Sequence, residues 1–251
     1  MSAEKTKTQR LRELKNYLVF LKDQGYRDIP LEKNIDKLNF DSEIINSQSD
    51  TLSLTPESAI TSQNLSMELN AILKELGDCK RCKLCEGRTN IVFGSGNPNA
   101  DLVFVGEGPG ADEDEQGLPF VGKAGKKLTE IIEKGMGMNR ERDTYICNII
   151  KCRPPGNRNP EKDEISACKP FMQKQIHCIK PKVIVALGRP SASTLLGRPV
   201  TITKERGNWF NYEGVPLMLT YHPAYLLRAY TLENRRAVFE DMQKVLKVLG
   251  K

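Results

Sequence analysis

Four short apolar runs, at residues 102–105, 144–151, 183–187 and 217–221, alternate with stretches whose apolar positions recur every three to four residues. Continuous apolar runs of this length are what strands buried on both faces require, and the intervening periodicity predicts helices. Helices are expected at 66–76, 128–133, 190–196 and 232–249, and another from Pro160 toward Cys178, with Pro160 at a first helical position where its missing N–H costs nothing. This alternation implies a mainly parallel sheet covered by helices on both faces. The runs close on Gly106-Glu107, Cys147-Asn148, Gly188-Arg189 and Tyr221-His222. Ligands of open α/β sheets bind outside the carboxyl ends of the strands, so these residues are expected to meet in one crevice.

Upstream the pattern changes. Leu11, Leu14, Leu18 and Leu21 lie at helical spacing among Lys, Arg and Glu, which predicts an amphipathic helical arm within 1–33. Residues 34–65 turn to Ser, Asn, Thr and Asp with little periodicity and read as a polar linker, so the main domain is expected to span 66–251. No apolar run is long enough to span a bilayer, and residues 1–8 lack a hydrophobic signal core, so a cytoplasmic protein is expected.

At 251 residues the chain can bury one good-sized core. Its 38 Lys+Arg against 32 Asp+Glu give a net charge of +6, which favours a polyanionic partner without proving one. Seven cysteines in a cytosolic chain point to metal binding or burial rather than to disulfides. Cys79-x-x-Cys82 is a chelating pair, and Cys152 and Cys168 form a second pair downstream. Cys79-x-x-Cys82-x-x-Cys85 also matches the opening of a ferredoxin run, although Thr89 stands where its next cysteine belongs. Spacing alone does not separate a four-cysteine zinc site from an iron–sulfur cluster.

Gly106-Glu107-Gly108-Pro109-Gly110-Ala111 follows the first run and fits a dinucleotide fingerprint. The acidic residues Asp112 to Glu115 would repel a pyrophosphate, and Pro109 disturbs the helix start such a ligand needs. The loop suits a small planar ligand approached by bare backbone N–H groups, with Phe120 placed to stack on a flat ring.

Four blocks, Gly106-Glu107-Gly108-Pro109-Gly110, Leu118-Pro119-Phe120-Val121-Gly122-Lys123-Ala124-Gly125, Asn148-Ile149-Ile150-Lys151-Cys152-Arg153-Pro154-Pro155 and His222-Pro223-Ala224-Tyr225-Leu226-Leu227-Arg228, resemble the family 4, iron–sulfur uracil-DNA glycosylases. The resemblance covers residues 66–249. It implies a three-layer α/β/α fold around a central four-stranded parallel sheet, hydrolytic removal of uracil from DNA in base excision repair, and a [4Fe–4S] cluster held by Cys79, Cys82, Cys152 and Cys168. Cys85, Cys147 and Cys178 then fall outside the ligand set.

The same resemblance assigns Asn148 to reading the uracil O4 and N3–H edge, Phe120 to stacking, and the Gly108 N–H to O2. His222 at a strand end is placed to donate to O2 as charge develops there. Glu113 matches the position thought to close the space at C5 against thymine, and Glu107 is the nearest carboxylate to orient water or steady a cationic sugar. Asp112 and Asp114 read as solvated, and His177 as a helix residue without a role in the site. Arg153, Arg158, Arg189 and Arg228 are the candidate phosphate contacts, with Ser191 as a neutral donor at a helix start. Tyr225, Leu226 and Leu227 are expected in a loop that wedges into the base stack.

The expected substrate is uracil-containing DNA, single- or double-stranded, with free uracil as product. No lysine is placed by a motif as a Schiff-base nucleophile, so base removal without strand cleavage is expected. The competing reading is a DNA-binding module of the same fold that has lost catalysis.

Overall fold

The computed structural model describes the backbone of residues 56–251 and the side chains of residues 66–251. The expected amphipathic arm and the linker as far as residue 55 lie outside the described residues. The first described helix, α1 (Pro56–Leu76), starts before the expected boundary at Ser66, so the last part of the supposed linker is helical.

The sheet has six strands in the order β1-β3-β2-β4-β6-β5, namely β1 (Ser95–Gly96), β2 (Leu102–Gly106), β3 (Thr144–Asn148), β4 (Val183–Leu187), β5 (Trp209–Tyr212) and β6 (Val215–Thr220). The four expected strands pair in parallel as β3-β2-β4-β6. Two short antiparallel strands, β1 and β5, extend the edges of the expected four-stranded sheet. They escape sequence reading because β1 has only two residues and β5 reads Trp209-Phe210-Asn211-Tyr212, which as a sequence is neither an apolar run nor a clean polar–apolar alternation.

Consecutive strand residues face opposite sides, and β2 splits accordingly. Val103 and Val105 enter an apolar cluster with Met172 and Ile176 of α5 (Lys162–Ile179) and with Ala192 and Leu195 of α6 (Gly188–Leu196). Leu102 and Phe104 enter a second cluster with Leu128 of α3 (Lys123–Glu130) and with Val238, Met242 and Val245 of α9 (Leu232–Val248). All five residues of β2, β3 and β4 are buried, so truncating Phe104 to Ala costs about 3–5 kcal/mol.

Local chemistry sets the helix ends. Glu161 caps α5, with its N–H donating to Glu164 at 2.7 Å, so Pro160 lies just outside the helix rather than at its first position. The short α2 (Ala111–Gln116) begins after Gly110 and was not expected, since six residues show no period. After α3 the backbone widens into a π turn at Ile131–Gly135. Two single-turn helices, α4 (Arg140–Asp143) and α7 (Ile202–Glu205), precede β3 and β5. Finally α8 (Pro223–Arg228) occupies the segment expected to be a loop.

Candidate active site

The four strand ends meet as expected. They border a crevice of about 700 Å³ whose lining includes Glu107, Asn148, Arg189, His222, Phe120 and Arg228. Asn148 ends β3 opposite Gly106 of β2 and is buried, yet neither its amide nitrogen nor its amide oxygen has a hydrogen-bond partner within the protein. One carboxylate oxygen of Glu107 is also buried without a partner. Orphaned polar atoms of this kind are costly, so their concentration at one end of the sheet marks a place prepared for a polar ligand. Gly106 makes the arrangement possible, because a Cβ there would fall 2.3 Å from the Asn148 amide oxygen and 2.6 Å from the Phe120 ring.

Phe120 is buried and sits at φ +54°, an unfavourable backbone region for a side chain of its size. Its loop is held from two directions. The Arg140 guanidinium donates to the carbonyls of Phe120 at 2.9 Å and Pro119 at 2.8 Å. The Glu113 carboxylate accepts from the N–H groups of Val121 and Gly122 at 2.9 Å and of Gly110 at 3.0 Å. Glu113 therefore ties the glycine loop to the Phe120 loop, and it also lines the crevice. Asp114 is corrected from solvated to structural, since it is buried and accepts from Thr89 N at 2.9 Å.

His222 caps α8, where its Nδ1 accepts from Ala224 N–H at 3.1 Å. An acceptor at Nδ1 fixes the neutral tautomer with the proton on Nε2. Burial, aided by the positive charge of Arg228, lowers the imidazole to about 4, so the ring is neutral at physiological pH. Burial also raises the Glu107 carboxyl above its ordinary range, and Arg189 opposes that rise.

The expected DNA-contacting residues divide. Arg189 and Arg228 are exposed on the crevice wall, and Tyr225 lines it with its ring 4.7 Å from that of Tyr221. Arg158 also lines it, but its guanidinium is committed to Glu164 by two bonds of 2.9 and 2.6 Å, which hold the Glu164 carboxyl down at about 2. Arg153 is partly exposed and donates to Asn157 at 2.8 Å.

Two assignments are overturned. Ser191 is fully buried and its hydroxyl donates to the Val105 carbonyl at 2.6 Å, so it anchors α6 to β2 and meets no phosphate. Leu226 is fully buried in the core, because α8 turns it inward, and only Leu227 of that pair is exposed. His177 is exposed on α5 and pairs with Glu213 away from the crevice.

Away from the crevice, Cys79, Cys82, Cys152 and Cys168 line one cavity together with Arg81, Arg88 and Lys151, while Cys85 is not part of its wall. Three of the four sulfurs already receive donors, from Arg81 to Cys79 at 3.3 Å, from Arg88 to Cys152 at 3.6 Å, and from the Lys151 N–H to Cys168 at 3.2 Å. Among the described residues no group of three or more His, Cys, Asp or Glu side chains converges as a single metal ion requires. A zinc ion needs four sulfurs within about 2.3 Å of one point, whereas a cluster spreads its ligands over several irons. Four cysteines on one cavity wall supply the ligand number that either group requires.

This fold and crevice define a class, and the comparisons agree with it. The chain belongs to the uracil DNA glycosylase superfamily, which it matches over residues 93–247. It is 48% identical over 187 residues to the type-4 uracil-DNA glycosylase of Thermotoga maritima, covering 73% of this chain and 96% of that protein. The type-4 uracil-DNA glycosylases of Sulfurisphaera tokodaii and Archaeoglobus fulgidus are 44% and 40% identical, covering 70% and 73% of this chain and 83% and 94% of those proteins. Among the described residues no helix is long and apolar enough to cross a membrane.

Proposed function

We propose that this protein is a uracil-DNA glycosylase of the type-4 kind, a cytoplasmic base-excision repair enzyme that releases free uracil from DNA and leaves the strand intact. The observation that carries this reading is the buried Asn148 amide, whose donor and acceptor both lack a partner beside the Phe120 ring. A planar base entering the crevice satisfies both atoms at once, uracil O4 accepting from the amide nitrogen and N3–H donating to the amide oxygen. Cytosine presents the opposite pattern along that edge and leaves two polar groups facing like groups.

A base inside a duplex must be flipped to reach such a pocket. Breaking the C1′–N1 bond sends the electron pair to uracil, and the negative charge spreads to O2. The neutral His222 donates from Nε2 toward O2, and the Gly108 N–H adds a second donor there. Water adds to C1′ of the cationic sugar and gives up a proton, for which Glu107 in the crevice wall is the proposed acceptor. Arg189 and Arg228 contact phosphates at the rim.

Cys79, Cys82, Cys152 and Cys168 hold a [4Fe–4S] cluster, which when bound cross-links the segment before β1 to the segment after β3 and to α5. Burial raises the Cys152 thiol to about 11, so a thiolate there depends on positive charge from iron and from Arg88. Residues 66–251 form the glycosylase domain.

The test is release of free uracil from a labelled single-stranded oligonucleotide carrying one uracil, with and without later alkali treatment. Base release with strand breakage only after alkali supports the reading, and no release from protein absorbing near 400 nm, as iron–sulfur thiolates do at about that wavelength, leaves the DNA-binding alternative.

A further inference from the structure

Lys151 is completely buried three residues after Asn148. Its ammonium donates to the Asn148 backbone carbonyl at 2.8 Å and to the Gln175 side-chain oxygen at 2.6 Å. Its backbone N–H donates to the Cys168 sulfur at 3.2 Å. Gln175 is fixed in turn, because its amide nitrogen donates to the Phe93 carbonyl and to the Tyr145 hydroxyl, both at 3.0 Å. Cys168 and Gln175 are seven residues apart on α5, two turns along one face, so a single helix face grips both ends of one lysine.

A buried lysine is expensive unless its charge is met by several acceptors, and a strand-end carbonyl that is buried must find a donor. Here each need is met by the other. The Asn148 side chain has no bond of its own, so its direction is set by its backbone, and Lys151 grips that backbone at the carbonyl.

We propose that Lys151 is a positioning residue for uracil recognition, which carries the placement of Cys168 and of α5 to the peptide of Asn148. This rests on the reading of Asn148 as the base-reading residue. Lys151 touches neither base nor sugar. It holds the peptide whose side chain does, and its own neighbour Cys152 and its partner Cys168 are ligands of the proposed cluster.

The experiment compares wild type, Lys151→Met and Gln175→Leu as full chains. Absorbance near 400 nm and far-ultraviolet circular dichroism report the cluster and the fold, while titrations with free uracil and with an abasic oligonucleotide separate base reading from DNA binding. Lys151→Met is expected to keep both spectra, to weaken free uracil by about tenfold, and to leave the abasic oligonucleotide unchanged, since one charge-assisted bond to the reading peptide is lost. Gln175→Leu, which keeps the bond to Asn148 but removes the second acceptor of the same ammonium, is expected to weaken uracil by about threefold at unchanged absorbance.

Unchanged uracil affinity in a spectrally intact Lys151→Met protein overturns the proposal. So does loss of the cluster with uracil affinity retained, because Lys151 would then serve the cysteines alone. If Lys151→Met does not accumulate folded, the Gln175→Leu titration decides by the same criterion. Wild-type protein that neither binds nor releases uracil refutes the functional reading itself, a result separate from any difference between variants.

Discussion

The rings of Phe120 and His222 lie 5.7 Å apart and are tilted by 34°, so the residues proposed to stack on uracil and to donate to its O2 form one corner of the crevice. The corner is built from two unrelated local structures. Phe120 sits on a loop braced by Arg140 and Glu113, and His222 caps a helix. On the proposed roles, their closeness would make recognition of the ring face and of O2 a single geometric event.

Asn148 is expected to show function without stability. Its amide makes no bond inside the protein, so Asn148→Ala removes a desolvated group and a few packing contacts of opposite sign. Urea denaturation should find the variant within about 1 kcal/mol of wild type. A loss of several kcal/mol would mean that the amide is partnered in the folded protein.

For His222 the effect of pH has a definite sign. The folded imidazole titrates near 4, below the 6.5 of an unperturbed histidine, so between those values the unfolded chain binds the extra proton. The His222 contribution is complete above about pH 6.5 and weakens as pH falls toward 4. Denaturation midpoints at pH 7 and pH 4.5 should therefore drop further for wild type than for His222→Phe. Equal drops would show that the ring is protonated in the folded protein.

Glu113 braces two loops through three backbone N–H groups. Glu113→Ala should cost about 1–3 kcal/mol and raise KM for a uracil oligonucleotide, because the Phe120 loop loses its tie to Gly110. Glu113→Gln keeps a carbonyl oxygen for Val121 and Gly122 and should lose less. Were the two variants indistinguishable in melting and KM, the bracing account would be wrong.

Much of this site is legible in the sequence because strand ends are. The apolar runs locate Glu107, Asn148 and His222, and the parallel topology brings them together without knowledge of any long-range contact. What is not legible depends on partners far along the chain. Arg140 reaches carbonyls 20 and 21 residues away, and Gln175 reaches Phe93 82 residues away, yet neither side chain lies in a local pattern that announces its acceptor. Leu226 was recoverable, since Pro223 after His222 is a helix-start signature and predicts that one face of the segment docks inward. Ser191 is harder, because a hydroxyl at a helix start suits either a phosphate or a neighbouring carbonyl, and only the fold shows the Val105 carbonyl waiting for it.

The cysteines make a further prediction. Cys152→Ser or Cys168→Ser should abolish absorbance near about 400 nm and lower the melting temperature, since the cross-link between segments is lost. Cys85→Ser should change neither, because Cys85 lies outside the cavity. Loss of the absorbance in Cys85→Ser would instead place it among the ligands.

The central claim is that Asn148 reads the base, and single-turnover release of uracil, thymine and cytosine from matched oligonucleotides, by wild type and by Asn148→Ala, tests it most directly. The account predicts release of uracil alone by wild type, and a fall of about 10²–10³-fold in the variant with the fold intact. Uracil release by Asn148→Ala at the wild-type rate would contradict it.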